Sequence, residues 1–414
     1  MHTTLEKEQV GTLHLRFEKL KFRQSVFKDE AKLDINYLPS RLPHRERELR
    51  LLMEFFSFLL QFPERMAQRV IITGDIGTGK TALCQRFGAD ITLEANKRKI
   101  NLRYVHVNCR EYRGKLFLIL QHAVTVLKPN FPQRGYSAEE VLKALLQNLD
   151  EENTHMILAL DEFDSLIEAE GSDAVYSLTR LQEMRTGKPS RISFVFVMRD
   201  LDAAKRLDDS ARSTLQRNVV SLEKYVKNQL RDILNERVAL AFEPSTVAED
   251  VVNLTADLAR DENGNARFGI ELLWRAGKYA DAEELGSVTP ECVRKAVSSI
   301  IPSVQKGELA SLGLHEKLFL LGAAEVFVER EEAYVTLVDI EKVYAVICEE
   351  FNEEPNSHTQ LWKYLQLFSA LGILKTEVSG AGSRGRSTLV YLPAVSAAEL
   401  EKELRLFLEK KGER

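Results

Sequence analysis

"RVIITGDIGTGKTALCQRF" (residues 69–87) decides the fold. Val70, Ile71, Ile72 and Thr73 are apolar or β-branched, as suits a strand buried on both faces of a parallel sheet. Residues 74–81, "GDIGTGKT", satisfy the pattern G-x-x-x-x-G-K-[ST] in full. Glycines let backbone N–H groups curl round an anion, and the N-terminus of the following helix adds partial positive charge. Lys80 is expected to reach the β- and γ-phosphates of a nucleotide, and the Thr81 hydroxyl to hold Mg²⁺. The candidate contacts are Gly74, Asp75, Ile76, Gly77, Thr78, Gly79, Lys80, Thr81 and Ala82. A chance glycine turn is the rival reading, and the strand–loop–helix order argues against it.

"LALDEFD" (158–164) supplies a second half. A carboxylate at the tip of a buried strand is costly unless a cation needs it. Asp161 is therefore a candidate Mg²⁺ ligand through water, and Glu162 a candidate to orient an attacking water. "LRYVHVNC" (102–109) and "ISFVFVM" (192–198) look like further buried strands, with helical patterns between them. Alternating strand and helix predict an α/β domain with a parallel sheet. The separation of Thr81 from Asp161 leaves room for an additional strand between the two motif strands. From about residue 225 the strands cease. "YVKNQLRDILNERVALAF" (225–242) places Val226, Leu230, Ile233, Leu234, Val238 and Leu240 at helical spacing.

At 414 residues, two or three domains are the expectation. A hydrophobic share of 44% with 29% charged residues places the chain among ordinary globular proteins. No apolar run is long enough to cross a bilayer, and the N-terminal stretch has acids but no apolar signal core. Cys84, Cys109, Cys292 and Cys348 lack C-x-x-C spacing, which argues against a zinc site or a disulfide framework. A cytoplasmic protein without a membrane partner is expected. The net charge of −5 does not advertise nucleic-acid binding, but a local patch can act where the sum is silent.

Such a patch lies near the C-terminus. "EPNSHTQLWKYLQLFSALGIL" (354–374) predicts a helix with a Ser357–Gln360 capping box and an apolar face of Leu361, Leu365, Phe368 and Leu371. Gly372 ends it. The other face shows His358, Thr359, Gln360 and Lys363, which can bond to base edges or phosphates in a major groove. A strand, the stretch "VSGAGSRGRSTLVYL" (378–392) and a second strand follow. Helix, hairpin and basic tip together predict a winged helix. Ser383, Arg384, Gly385 and Arg386 would form the tip, on the DNA backbone or in the minor groove. A solvated helix face and a flexible hairpin are the bland alternatives.

These motifs together resemble the archaeal origin-recognition and replication-initiator AAA+ ATPases, over about residues 37–392. The resemblance implies a P-loop AAA+ core with a parallel sheet, an α-helical lid and a C-terminal winged helix. It divides the chain into a core at 1–222, a lid at 223–301 and a winged-helix domain at 302–414. "YLPSRLPHRERELRLL" (37–52) is similar to the family's adenine-pocket segment, with Leu38, Pro39, His44 and Arg45 at the matching positions. "PQRGYSAEEVLKALLQNL" (132–149) is similar to the inserted helix that approaches DNA, which implicates Arg134 and Ser137. Read unaided, it is an amphipathic helix capped by Ser137 and Glu140. "GNARFGIELLWRAGKYAD" (264–281) is similar to the second sensor, with Arg267 toward the γ-phosphate. Tyr225 is a further candidate nucleotide contact.

The chain departs from the family in two places. "VFVMRDL" (195–201) puts Arg199 where a polar sensor residue, often asparagine, is usual. Arg199 would bind phosphate, or point into solvent beside Asp200. In "RLDDSARSTL" (206–215) the usual trans-acting arginine falls on Ser210, with Arg212 nearby. The implied function is a replication initiator that binds ATP/ADP with Mg²⁺, hydrolyses ATP slowly as a switch and binds double-stranded origin DNA. Other initiator subunits and the replicative helicase are the implied partners. The alternatives are a signalling P-loop ATPase with a winged-helix protein-interaction module, and a remodelling motor, which the departures disfavour.

Overall fold

The computed structural model describes residues 25–181, 185, 187–215, 218–300, 309, 311–378, 388–393 and 395–412. The chain divides into two compact units. One comprises Leu38–Ile233 and Glu262–Arg267. The other comprises the described residues of Met1–Tyr37, Leu234–Asp261 and Phe268–Arg414.

The first unit begins with α1 (Glu46–Gln61) and then alternates strand and helix: β1 (Arg69–Gly74), α2 (Lys80–Lys97), β2 (Leu102–Asn108), α3 (Leu116–Leu127), α4 (Ala138–Glu151), β3 (His155–Asp161), α5 (Asp164–Thr179) and β4 (Ile192–Met198). A short α6 (Asp209–Leu215) and β5 (Val219–Leu222) complete it. The strands form one parallel sheet in the order β2-β3-β4-β1-β5. In space β4 lies between β1 and β3, although it follows both in sequence. The strand that the Thr81–Asp161 spacing left room for is β2, and it lies at the sheet's edge beyond β3 rather than between the two motif strands. β5 was not legible as a strand, because "VVSL" is short and alternates exposed with buried positions. Every residue of β3 and of β4 is buried, since helices cover both faces of the sheet. Ile71, Leu158 and Phe196 pack on one face with α3–α5; Val70, Ile157 and Val195 pack on the other with α1 and α2. Register sets the site: Thr73 pairs Met198 and Asn108 pairs Asp161, so the loops after β1, β3 and β4 leave the same edge.

Helix α7 (Lys227–Ala241) follows β5, and α8 (Glu249–Asp261), α9 (Ala266–Ala282) and α10 (Pro290–Ile300) are helices without an intervening strand. Leu230 and Leu234 are buried as the helical spacing requires, whereas Val226 is exposed just before α7 begins. The C-terminal portion holds α11 (Leu314–Arg330), β6 (Val335–Thr336), α12 (Leu337–Glu350), α13 (His358–Ala370), β7 (Lys375–Val378), β8 (Thr388–Tyr391) and α14 (Ala397–Gly412). Its antiparallel sheet runs β6-β8-β7, and with α11–α13 it makes a winged helix.

The strands of the wing are tied to α8. Tyr334 donates its hydroxyl proton to Asp257, a fully buried carboxylate, and Arg260 bridges Asp257 and Glu377 at 3.0 and 3.6 Å. Lys375 and the Tyr391 hydroxyl both reach Asp261. Burial beside these carboxylates pushes the Tyr334 and Tyr391 phenols far above their ordinary range.

Two expectations about α13 need correction. Ser357 is the N-cap, but its side chain makes no capping bond; the Gln360 N–H donates to the Ser357 carbonyl instead, at 2.8 Å. Leu361, Leu365 and Phe368 are buried, whereas Leu371 lies past the last helical residue and is 42% exposed. Gly372 does turn the chain, with φ of 72°.

Candidate functional site

The phosphate loop connects β1 to α2. Gly77 and Gly79 have φ of 78° and 88°, a region L side chains avoid. A Cβ on Gly77 would lie 1.9 Å from Asn265 Oδ1, so the loop and the turn before α9 fit only with glycine there. The Ala266 N–H also donates to the Gly77 carbonyl, at 3.2 Å. A Cβ on Gly79 would stand 3.0 Å from the Tyr225 hydroxyl. Thr78 is fully buried and closes the loop through its hydroxyl onto the Asp75 carbonyl at 2.8 Å. Ile76, at the loop's crest, is 60% exposed. Ala82 lies in the first turn of α2.

Lys80 donates from Nζ to the carbonyl oxygens of Gly74 and Asp75, at 2.5 and 2.8 Å. Burial lowers its ammonium pKa, while Asp161, Asp164 and Asp75 oppose that shift. Thr81 Oγ1 donates to Asp161 Oδ2 at 2.7 Å, which brings the ends of both motifs together. The Glu162 N–H donates to Asp161 Oδ1 at 2.9 Å. Burial works to raise the Asp161 carboxyl, but the nearby His106 imidazole, the Thr81 hydroxyl and the Glu162 N–H outweigh it and hold it below the usual range. Glu162 has φ of 49° and a half-exposed carboxylate, 3.9 Å from Arg110 Nη1. An acidic residue held in this sparsely populated region beside a phosphate loop is the kind of strain that functional sites keep.

His106 was not singled out in the sequence. Its Nε2 lies 3.4 Å from Asp161 Oδ2, but that nitrogen is buried and has no aligned hydrogen-bond partner among the described residues. This open nitrogen, the hydroxyl and carboxylate of Thr81 and Asp161, and the cradle that a Cβ at Gly77 would fill suit a hydrated divalent cation on a nucleotide's phosphates. Thr81 and Asp161 are the residues that would hold it.

Arg199 lies past the end of β4. Its N–H donates to Asp164 Oδ2 and its carbonyl accepts from the Gly74 N–H, each at 3.0 Å. Its guanidinium points to Asp75, with Nε 3.5 Å from Oδ1, rather than pairing with Asp200. Lys224 Nζ lies 3.1 Å from Asp75 Oδ2. Lys224 and then Arg199 hold the Asp75 carboxyl below its ordinary range. Lys224 follows β5, so the strand that was not read carried away its signal too.

Of the remaining candidates, Arg45 is 4% exposed. It donates to the Thr78 carbonyl at 3.1 and 3.0 Å and to the Glu223 carbonyl at 2.7 Å, and its guanidinium lies 4.0 Å from the Tyr225 ring centre. Its donors brace the back of the loop. His44 pairs with Asp232 at 2.9 Å; Pro39 is buried and Leu38 half-buried. Arg267 is exposed in the first turn of α9. Ser210 accepts from Arg180 at 3.2 Å, and Arg212 pairs with Asp209.

The candidate nucleic-acid residues lie apart in the chain. Arg134 is exposed, and Ser137 caps α4 in a complete capping box with Glu140. On α13, Thr359 and Lys363 are exposed and Gln360 half-buried, while His358 Nδ1 lies 2.9 Å from Glu341 Oε2. Ser383, Arg384, Gly385 and Arg386 lie outside the described residues. No helix among the described residues is long and apolar enough to cross a membrane.

Comparison with known proteins supplies the context for these sites. The AAA domain family matches residues 65–207, the Cdc6 AAA+ ATPase-type lid domain residues 231–298, and the CDC6 C-terminal winged helix domain residues 307–402. ORC1-type DNA replication protein 2 of Saccharolobus solfataricus is 36% identical over 373 residues, 89% of this chain and 90% of that protein. The crystal structure of Cdc6p from Pyrobaculum aerophilum matches 94% of this chain and 100% of its own, with TM-score 0.81 and 29% identity. The Aeropyrum pernix ORC1 protein in complex with DNA matches 94% and 98%, with TM-score 0.62 and 26% identity. A relative so similar along nearly its whole length, with core, lid and winged helix matched in order, means that the chain belongs to the ORC1/Cdc6 family of AAA+ DNA replication initiators.

Proposed function

We propose that this initiator is a nucleotide-controlled switch that takes ATP or ADP with Mg²⁺ and binds double-stranded origin DNA. The observation that carries the nucleotide half is the hydrogen bond from Thr81 to Asp161 at the foot of a complete phosphate loop. Backbone N–H groups of 74–82 and the Lys80 ammonium bind the phosphates. Mg²⁺ on Thr81 and Asp161 would screen the phosphate charge. Glu162 orients a water, Tyr225 and the 38–45 segment flank the nucleoside, and Arg267 answers the γ-phosphate. Arg45 acts from behind, by fixing the Thr78 carbonyl. Hydrolysis is slow: an arginine replaces the usual neutral sensor at 199, and Ser210 stands where a trans-acting arginine is usual.

The DNA half is supported by the likeness to the A. pernix ORC1 protein, described in complex with DNA, and by this chain's own winged helix. Thr359, Gln360 and Lys363 on α13, together with His358, face a groove. Arg384 and Arg386, flanked by Ser383 and Gly385, supply the charge of the wing, and Arg134 and Ser137 approach the backbone. Other initiator subunits and the replicative helicase are the partners that such a switch would serve in loading the helicase or regulating it. Filter binding of genomic origin fragments, with and without ATP across a salt series, tests the reading. Submicromolar binding with a steep salt slope is expected. Weak binding that ignores salt and the substitutions Arg384→Ala and Arg386→Ala would overturn it.

A further inference from the structure

The second position of the phosphate loop carries an acid, Asp75, in a site that must accept a polyanion. Such a carboxylate repels phosphate unless something offsets it. Each of its oxygens faces its own cation, Arg199 Nε at 3.5 Å and Lys224 Nζ at 3.1 Å. The two cations are not alike. Lys224 follows β5, whereas Arg199 is sewn to the site by its backbone, through Asp164 and the Gly74 N–H. The Cα of Arg199 is thereby fixed at the shoulder of the loop, and only its side chain is free to turn. That side chain is 63% exposed and Asp75 is 36% exposed, so the pair is screened and weakly held. A phosphate group, with two oxygens to accept from the fork, offers a guanidinium a stronger, bidentate partner.

We propose that Asp75 is a specificity-determining residue that works through Arg199. It holds the guanidinium at the rim of the loop and yields it to the terminal phosphate of a nucleoside triphosphate, so that the pair sets the preference for triphosphate over diphosphate. The proposal rests on the nucleotide reading of this loop. It accounts together for two features that look unrelated in sequence, an acid within the phosphate loop and an arginine at the sensor position. With Asp75 present, exchange of Arg199 costs an ion pair, which moderates the grip on ATP. Without it, Arg199 is already available.

The test is a double-mutant cycle on the full chain, with ATP and ADP each competed against a fluorescent ADP analogue in the presence of Mg²⁺. Asp75→Asn keeps the shape of the side chain and is expected to raise the ATP-to-ADP affinity ratio about threefold to tenfold, as removal of one neighbouring charge does at partly screened sites. Arg199→Gln is expected to lower the ratio, and in that background Asp75→Asn should move it by less than about twofold. Lys224→Gln should leave the Asp75→Asn effect in place. Thermal melts establish that each variant is folded. If Asp75→Asn shifts the ratio equally with and without Arg199, the carboxylate merely repels phosphate and the proposal falls. No shift in either background also overturns it while leaving the nucleotide reading intact. A wild-type chain that binds neither nucleotide would remove the reading itself.

Discussion

Lys80 and His155 show how differently buried ionisable groups act. Lys80 sits where burial and carboxylates compete over its charge, and under the proposed nucleotide reading a phosphate would resolve the competition. Loss of a charged hydrogen bond of this kind costs about 2–3 kcal/mol. Lys80→Ala should therefore weaken ATP binding about 30- to 150-fold by titration calorimetry, with the fold unchanged by circular dichroism. His155 does nothing at the site. It opens β3, with Nδ1 3.1 Å from the Ser190 carbonyl and Nε2 3.0 Å from Ser193 Oγ. Burial lowers its pKa to about 4, from an ordinary value of 6.5. The folded protein thus keeps this imidazole neutral where the unfolded chain protonates it. Its contribution is fully present above pH 6.5 and is lost as pH falls toward 4. Urea melts between those limits should lose about 1.4 kcal/mol per pH unit from this group, about 3 kcal/mol in all. His155→Gln should flatten that part of the profile, and an unchanged slope would mean that the proton is taken up elsewhere.

Two helices with the same capping grammar differ in what their caps contribute. Helix α4 has both bonds of its box: the Ser137 N–H donates to Glu140 Oε2 at 2.7 Å and the Glu140 N–H donates to Ser137 Oγ at 3.2 Å. Helix α13 has Ser357 in the same role without a side-chain bond. Ser137→Ala should cost about 1 kcal/mol in a chemical melt, and Ser357→Ala less than about 0.5 kcal/mol. Equal costs would show that the two caps are not distinguished as the structure has them. The same contrast marks the limits of the sequence. Spacing reveals a capping motif, but which atom the N–H chooses depends on the local turn. The phosphate loop, the acidic end of β3 and the parallel strands were legible because each is a local pattern with a physical demand behind it. His106 was not, because it meets Asp161 only through the β2–β3 register, and nothing nearby in sequence marks it. Lys224 and β5 were missed together, since a short alternating strand looks like a loop until β1 lies beside it. Asn265 was in view within "GNAR", yet its contact with Gly77 belongs to tertiary structure.

For the whole molecule, the telling quantity is charge. With a net charge of −5, the chain gains no general attraction for a polyanion, so its DNA affinity has to come from a few placed cations. Arg134 lies before α4, Lys363 is exposed on α13, and Arg384 and Arg386 are assigned from sequence. His358 contributes little to this total while it faces Glu341. If about four phosphates are neutralised, the logarithm of the binding constant should fall against the logarithm of salt with a slope of about −3.6. Replacing Arg384 and Arg386 together by alanine should bring the slope to about −1.8, with the loss shared by origin and unrelated duplexes, because phosphate contacts carry no sequence information. Gln360→Ala should behave in the opposite way. An amide that reads a base edge leaves the salt slope alone and costs about 1–3 kcal/mol on the origin sequence only. Fluorescence anisotropy with an origin duplex and a shuffled duplex, each over a salt series, separates the two effects. A Gln360→Ala variant that weakens both duplexes equally would place α13 on the DNA backbone and leave base reading to other residues.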